Sequence, residues 1–276
     1  MSLPLAIEQL QSGDKEPVHW FYVLHGILGR RANWRGFCRR LQALRPDWGF
    51  ILVDLPEHGE SPDLDTPHTV EQCAERLSAL SESLDRPLTH GIGHSFGGKV
   101  LSAWAQRSPA SARACWLIDS NPGDRPHGQG SAQIRSVLEV LPKLAGEFAQ
   151  RRDFIDACAS FGFPTSFSQW LAMNLMRTES GPLRFRPRSA VIEHLVRDYF
   201  QYDAWPIVEA RPTSTQWHLV IGEASDNYGP DARARARRIA AQSSSVQVHL
   251  IPEAGHWVHV DAPEILAKEI SASTQP

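Results

Sequence analysis

Short apolar runs alternate along the chain with longer stretches of helical period. Residues 18–24 form a strand-like run ending at His25-Gly26. Residues 33–44 repeat apolar side chains at helical spacing, with Trp34, Phe37, Leu41 and Leu44 on one face. Residues 49–55 read as a buried strand closed by Pro56 and a turn at Gly59. A helix over 70–84, a strand over 88–93, a helix over 97–107 and a strand over 114–118 ending at Asp119 follow. This βαβα order predicts the α/β class, with a mostly parallel sheet flanked by helices on both faces and right-handed crossovers.

The rhythm breaks near Gly123. Up to about residue 211 the pattern gives helical segments and loops, without a core strand. It then resumes with a strand over 217–221, a helix over 230–242, a strand over 246–251 running to Gly255-His256, and a closing helix over 262–271. The expected organisation is a core made of residues 1–122 and 212–276, interrupted by a mostly helical cap or lid at 123–211. That insertion is rich in aromatic residues, among them Phe161, Phe163, Phe167, Trp170, Tyr199 and Phe200. Ordinary helix packing accounts for some of them. Phe167 and Trp170 are candidates for the wall of an apolar substrate pocket.

Composition removes several classes of function. The chain has 276 residues, 42% of them hydrophobic and 21% charged, enough for a full core and without the bias of a disordered protein. Net charge is −3 with both signs mixed, so nucleic acid is not an expected partner. The basic run from Arg233 to Arg238 reads as the solvated face of a helix. Cys38, Cys73, Cys115 and Cys158 stand singly, which fits free buried thiols better than disulfides or a zinc site. No stretch approaches the ~18 apolar residues of a membrane helix, and the N-terminal residues lack a signal-peptide pattern, so a soluble cytoplasmic protein is expected.

The chemistry concentrates in Gly93-His94-Ser95-Phe96-Gly97-Gly98, a G-x-S-x-G turn with an apolar strand before it and a helix after. Small residues two positions either side of the serine permit a tight turn that lifts Oγ clear of the sheet. The following helix points its partly positive N-terminus at the same place. Serine needs a base. His256 follows the last core strand in a loop opened by Gly255, whereas His259 starts the next helix and His94 should point away from Oγ. The acid is either Asp119 or Asp226, each just past a core strand on the same side of the sheet. The loop His25-Gly26-Ile27-Leu28-Gly29 offers a second oxyanion donor beside Phe96 N–H, with Ile27 the expected residue. His25, Leu28 and Trp257 join Phe167 and Trp170 as candidate substrate contacts. Arg177, Arg184 and Arg186 read as solvated surface more readily than as partners of an anionic substrate. No metal or cofactor is called for.

Together these motifs resemble the α/β-hydrolases, and among them the YbfF-type small-ester esterases. The resemblance runs over nearly the whole chain. It includes His25-Gly26, Val53-Asp54, His58-Gly59-x-Ser61, the elbow through Lys99, Ile118-Asp119, and Gly255-His256-Trp257-Val258-His259. Asn174 to Arg177 and Leu183 to Arg186 also look like that group. The resemblance implies a Ser-His-Asp triad acting on a small-molecule acyl ester or thioester. It implies Asp119 as the acid, because Ser225 stands where other α/β-hydrolases carry an aspartate. Glu57 departs from the glycine usual before His58-Gly59. Serine in the elbow argues against dehalogenase or epoxide hydrolase chemistry, which runs from a carboxylate. Two rivals remain: a C–C hydrolase or lyase like the menaquinone-pathway synthase, and a ligand-binding protein without catalysis.

Overall fold

A computed structural model describes residues 4–84, 88–125, 132–210 and 214–274. Residues 1–3 and the expected segment boundary at 211 and 212 lie outside them. In chain order the elements are β1 (Ile7–Leu10), β2 (His19–Leu24), α1 (Arg35–Leu44), β3 (Trp48–Val53), α2 (Val70–Ser83), β4 (Leu88–His94), α3 (Phe96–Arg107) and β5 (Ala114–Ile118). Next come α4 (Ala132–Val140), β6 (Glu147–Phe148), α5 (Arg151–Ser160), α6 (Thr165–Leu171), β7 (Leu175–Arg177), β8 (Leu183–Phe185), α7 (Ser189–Gln201) and α8 (Trp205–Val208). The chain closes with β9 (Gln216–Gly222), α9 (Pro230–Gln242), β10 (Val246–Ile251), α10 (Val258–Asp261) and α11 (Pro263–Ser273).

The large sheet runs β1-β3-β2-β4-β5-β9-β10, parallel except for β1, which pairs antiparallel with β3. Strand periodicity sorts the core into two halves. Tyr22, Leu24, Ile51 and Val53 face α2, α3 and α9, while Phe21, Val23, Phe50 and Leu52 face α1 and α11. The strand order reverses between β2 and β4. The loops leaving the carboxyl ends of these two strands therefore diverge and open a crevice between them.

The expected core elements are present, with shifted ends. The helix expected from residue 33 begins as a tight 3-10 turn at Arg31–Trp34 before α1. Trp34, Phe37, Cys38 and Leu41 are buried, whereas Leu44 in the last turn is 45% exposed and leaves the apolar stripe. Segment 123–211 packs its apolar residues, including Phe154, Ile192 and Trp205, into the same cluster as α2 and α3. Besides helices it carries a small antiparallel sheet, β6-β8-β7, whose strands of two or three residues are too short to show periodicity. In the basic run of α9, Arg237 and Arg238 are exposed as expected. Arg233 is not: it turns inward to the carbonyls of Gly222, Ser225 and Tyr228, each at 2.9 Å. All four cysteines are buried and unbridged. Among the described residues no helix is long and apolar enough to cross a membrane.

Candidate active site

β4 delivers Ser95 onto α3 in a backbone conformation that residues with a Cβ rarely take, φ +51° and ψ −116°. The turn is held from three sides. Ser95 N–H donates to Ile118 O at 3.1 Å, Gly98 N–H to Ser95 O at 3.0 Å, and Ser120 Oγ to the same carbonyl at 2.6 Å. A Cβ on Gly93 would stand 2.5 Å from Gly97 O, and one on Gly97 would stand 2.5 Å from His25 O. Both positions therefore require glycine. Phe96 opens α3, so its N–H has no intrahelical acceptor.

The loop after β10 carries His256. Its Nδ1 lies 2.7 Å from Asp119 Oδ2. Asp119 follows β5 directly at φ +42° and is fully buried. It also accepts from Ser225 Oγ at 2.6 Å and from Gly222 N–H at 3.2 Å, while Asn227 Nδ2 donates to its backbone carbonyl at 2.5 Å. A carboxylate so fixed holds the imidazole as the Nδ1–H tautomer and leaves Nε2 available as a base. Arg233, through its three carbonyls, secures the loop that presents Ser225. From the other side His94 Nε2–H donates to His256 O at 2.9 Å. Burial, reinforced by the neighbouring His256, keeps His94 well below the usual imidazole range, hence neutral. His259 is buried and stacked on Trp34 at 4.1 Å, a packing role.

Ile27 and Leu28 follow β2. Leu28 sits at φ +60° and donates its N–H to His58 Nε2 at 3.0 Å, while His58 Nδ1–H donates to Pro56 O at 2.9 Å. His25 repeats the device: Nδ1–H donates to Gly26 O at 2.8 Å and Nε2 accepts from Leu55 N–H at 3.0 Å. Each ring must be neutral to accept. Burial above all lowers His25 to about 4 and His58 to about 3. Across the crevice Asn174 Nδ2 donates to Leu28 O at 2.7 Å, and the Arg30 guanidinium donates to Met173 O at 2.5 Å. The 123–211 segment thus grips the loop that presents Ile27.

These pieces enclose a cavity of about 200 Å³. Ser95, His256, Ile27, Leu28, Phe96, Phe167, Trp170 and Trp257 all line it. Trp170 and Trp257 meet edge to face at 4.7 Å, and Phe167 stacks on Trp170 at 5.4 Å, so aromatic rings from both parts of the chain form one wall. A model of the alpha/beta hydrolase family matches residues 21–269.

The chain belongs to the alpha/beta hydrolase family.

Over 96% of its length this alpha/beta hydrolase is 26% identical to the sn-1-specific diacylglycerol lipase ABHD11 of Danio rerio, covering 80% of that protein. Over 95% of its length it is 27% identical to the 2-succinyl-6-hydroxy-2,4-cyclohexadiene-1-carboxylate synthase of Klebsiella pneumoniae, covering 95% of it. In fold it is similar to a marine microorganism esterase, with a TM-score of 0.84 at 22% identity, covering 99% of this chain and 100% of that one.

Within this alpha/beta hydrolase most of the expected site residues converge. Of the two candidate acids Asp119 meets His256, and His25 lies off the cavity wall. Asp226 is exposed at the cavity rim, and the contact to His256 Nδ1 is made by Asp119 instead. His25 does not line the cavity, because its ring turns back to Leu55 N–H. Arg184 and Arg186 pair with Glu147 and Asp63, and Arg177 donates to Gly181 O; none lines the cavity. Glu57 takes φ +68° where glycine is usual and spends its carboxylate on Leu64 N–H and Arg188, both at 2.7 Å. Sequence reasoning missed Arg125, Val196, Tyr199 and Asn227, which are among the residues that also line the cavity. Only the helical spacing of Ile192, Val196 and Tyr199 hinted at a common face in α7.

Proposed function

We propose that this alpha/beta hydrolase is a serine esterase that cleaves carboxylic ester or thioester bonds of small acyl substrates, with Ser95, His256 and Asp119 as its triad. The observation that carries the reading is the 2.7 Å contact of His256 Nδ1 with buried Asp119, opening on the same cavity as a serine in the strained elbow conformation. Membership of the family and the likeness to a lipase support hydrolysis.

In this reading His256 Nε2 takes the Ser95 proton as Oγ attacks the acyl carbon. The N–H groups of Ile27 and Phe96 hold the oxyanion. The imidazolium then returns its proton to the departing alcohol or thiol, and Asp119 stabilises it meanwhile. Water, activated by the same base, releases the acyl group from Ser95. Residues 123–211 act as a cap, with Phe167 and Trp170 against the acyl chain. The cavity volume favours a short acyl group. A second reading, a lyase or C–C hydrolase on the same triad, draws on the likeness to the synthase across the whole chain.

A panel of 4-nitrophenyl and coenzyme A esters from two to ten carbons tests the proposal. Short esters should turn over, and Ser95→Ala should lower kcat by about 10⁴-fold or more. Equal turnover by Ser95→Ala contradicts the assignment. Turnover of carbonyl substrates that lack an ester, with none of esters, transfers it to the second reading.

A further inference from the structure

Among the described residues Arg125 is the arginine that lines the Ser95 cavity. Its backbone N–H donates to Phe200 O at 2.6 Å, which fixes the residue against α7. Its guanidinium lies 4.9 Å over the Phe200 ring and lines the cavity that holds Ser95. The contacts it makes are to neutral acceptors at the long limit: Nη1 to Asn227 O at 3.3 Å and Nη2 to the Tyr199 hydroxyl at 3.5 Å. Its Nε is buried without an acceptor. Among the described residues no carboxylate lies within 4.0 Å of it. By contrast Arg31 pairs with Asp54 and Glu60, Arg186 with Asp63, and Arg235 with Glu209.

A guanidinium does not lose its proton in a protein, so Arg125 is a fixed positive charge on the cavity wall, with no carboxylate in ion-pair contact among the described residues. Lys99 lies nearby: burial first and Arg125 second lower it to about 7, while Asp203, Asp124 and Asp198 act the other way. Asp226 also lines the wall, but it is exposed at the rim. A group that supplies two acceptor oxygens and a negative charge satisfies both the charge and the planar fork.

We propose that Arg125 binds a second, ionised carboxylate of the substrate, so that the site selects half-esters or half-thioesters of dicarboxylic acids, or esters of hydroxy acids, over neutral esters. The inference rests on the esterase reading only for the position of the scissile bond.

Binding to the Ser95→Ala protein separates the two. Calorimetry with monomethyl glutarate against methyl valerate places the charge on the acyl side. Carboxymethyl butyrate against ethyl butyrate places it on the alcohol side. In at least one arm the anionic ester should bind about tenfold or more tightly than its neutral partner, the scale of a charge-assisted pair. Adding Arg125→Gln should collapse that ratio towards one, and Arg125→Lys should retain part of it. With Ser95 intact, the anionic-to-neutral ratio of kcat/KM should fall in parallel. Equal binding of charged and neutral esters in both arms, a comparison that needs no change at Arg125, overturns the proposal. So does a preference that survives Arg125→Gln. Selective anion binding without turnover of any ester upholds the site and removes the esterase reading instead.

Discussion

Ser225 Oγ donates to the same oxygen of Asp119 that faces His256 Nδ1, at 2.6 Å against 2.7 Å. The hydroxyl spreads the charge of a fully buried carboxylate and fixes its rotamer. Ser225→Ala should therefore lower kcat about five- to tenfold, the worth of one such bond, with a smaller change in KM. Ser225→Thr, which keeps the hydroxyl, should recover most of it. Steady-state kinetics on a short ester check both; a Ser225→Ala enzyme as fast as wild type removes the relay.

The two candidate acids separate by substitution. Asp119→Asn leaves a neutral partner and the wrong tautomer, and should cost about 10³- to 10⁴-fold in kcat. Asp226→Asn, at the exposed rim, should change it by less than about threefold. The reverse pattern would give the role to Asp226.

Lys99 is buried on α3 and donates to the carbonyls of Gly123, Tyr199 and Tyr202 at 2.9, 2.8 and 2.6 Å. It ties α3, the helix that Ser95 precedes, to the end of α7. Lys99→Met leaves those carbonyls without their donor, and should cost roughly 3 kcal/mol of stability and loosen the Tyr199 wall. Urea unfolding gives the first and acyl-chain preference the second; an unchanged midpoint with unchanged preference contradicts the tie.

Acid should unfold the protein earlier than its carboxylates alone would require. Burial above all lowers His58, His90, His218 and His259 to about 3 and His25 to about 4, from an ordinary 6.5. The unfolded chain takes these protons near 6.5, so between there and about 4 it binds more of them than the fold does. Stability is complete above 6.5 and drains away as pH falls, by up to ~1.4 kcal/mol per histidine per pH unit. Urea titrations at pH 7.5 and 5.5 measure the slope. His58→Gln, whose amide can serve both Leu28 N–H and Pro56 O, should reduce it by about one proton. A flat profile would contradict the neutral assignment.

The parts legible in the sequence are those whose geometry is local. Gly93 and Gly97 declare the elbow because their missing Cβ atoms are required within five residues of each other. His256 declares itself by following the last strand in a glycine loop. Asp119 and Asp226 stayed equal on the residues alone because both end strands. The packing of β5 against β9 brings Asp119, the residue the resemblance implied, to His256 Nδ1. Arg125, in the loop after β5, and Tyr199, on α7, were not legible because long-range packing of α7 against that loop brings them to the cavity. β1 was too short and half-buried to alternate clearly. His25 misled because its motif position is right while its ring serves the backbone of Leu55.

The central claim is an activated Ser95. Incubating the wild-type protein and Ser95→Ala with a fluorophosphonate probe, then measuring intact mass and mapping the modified peptide, tests it directly. One adduct on Ser95, absent from Ser95→Ala, is the predicted result. A folded wild-type protein that takes no adduct, or takes it at another residue, would contradict the account.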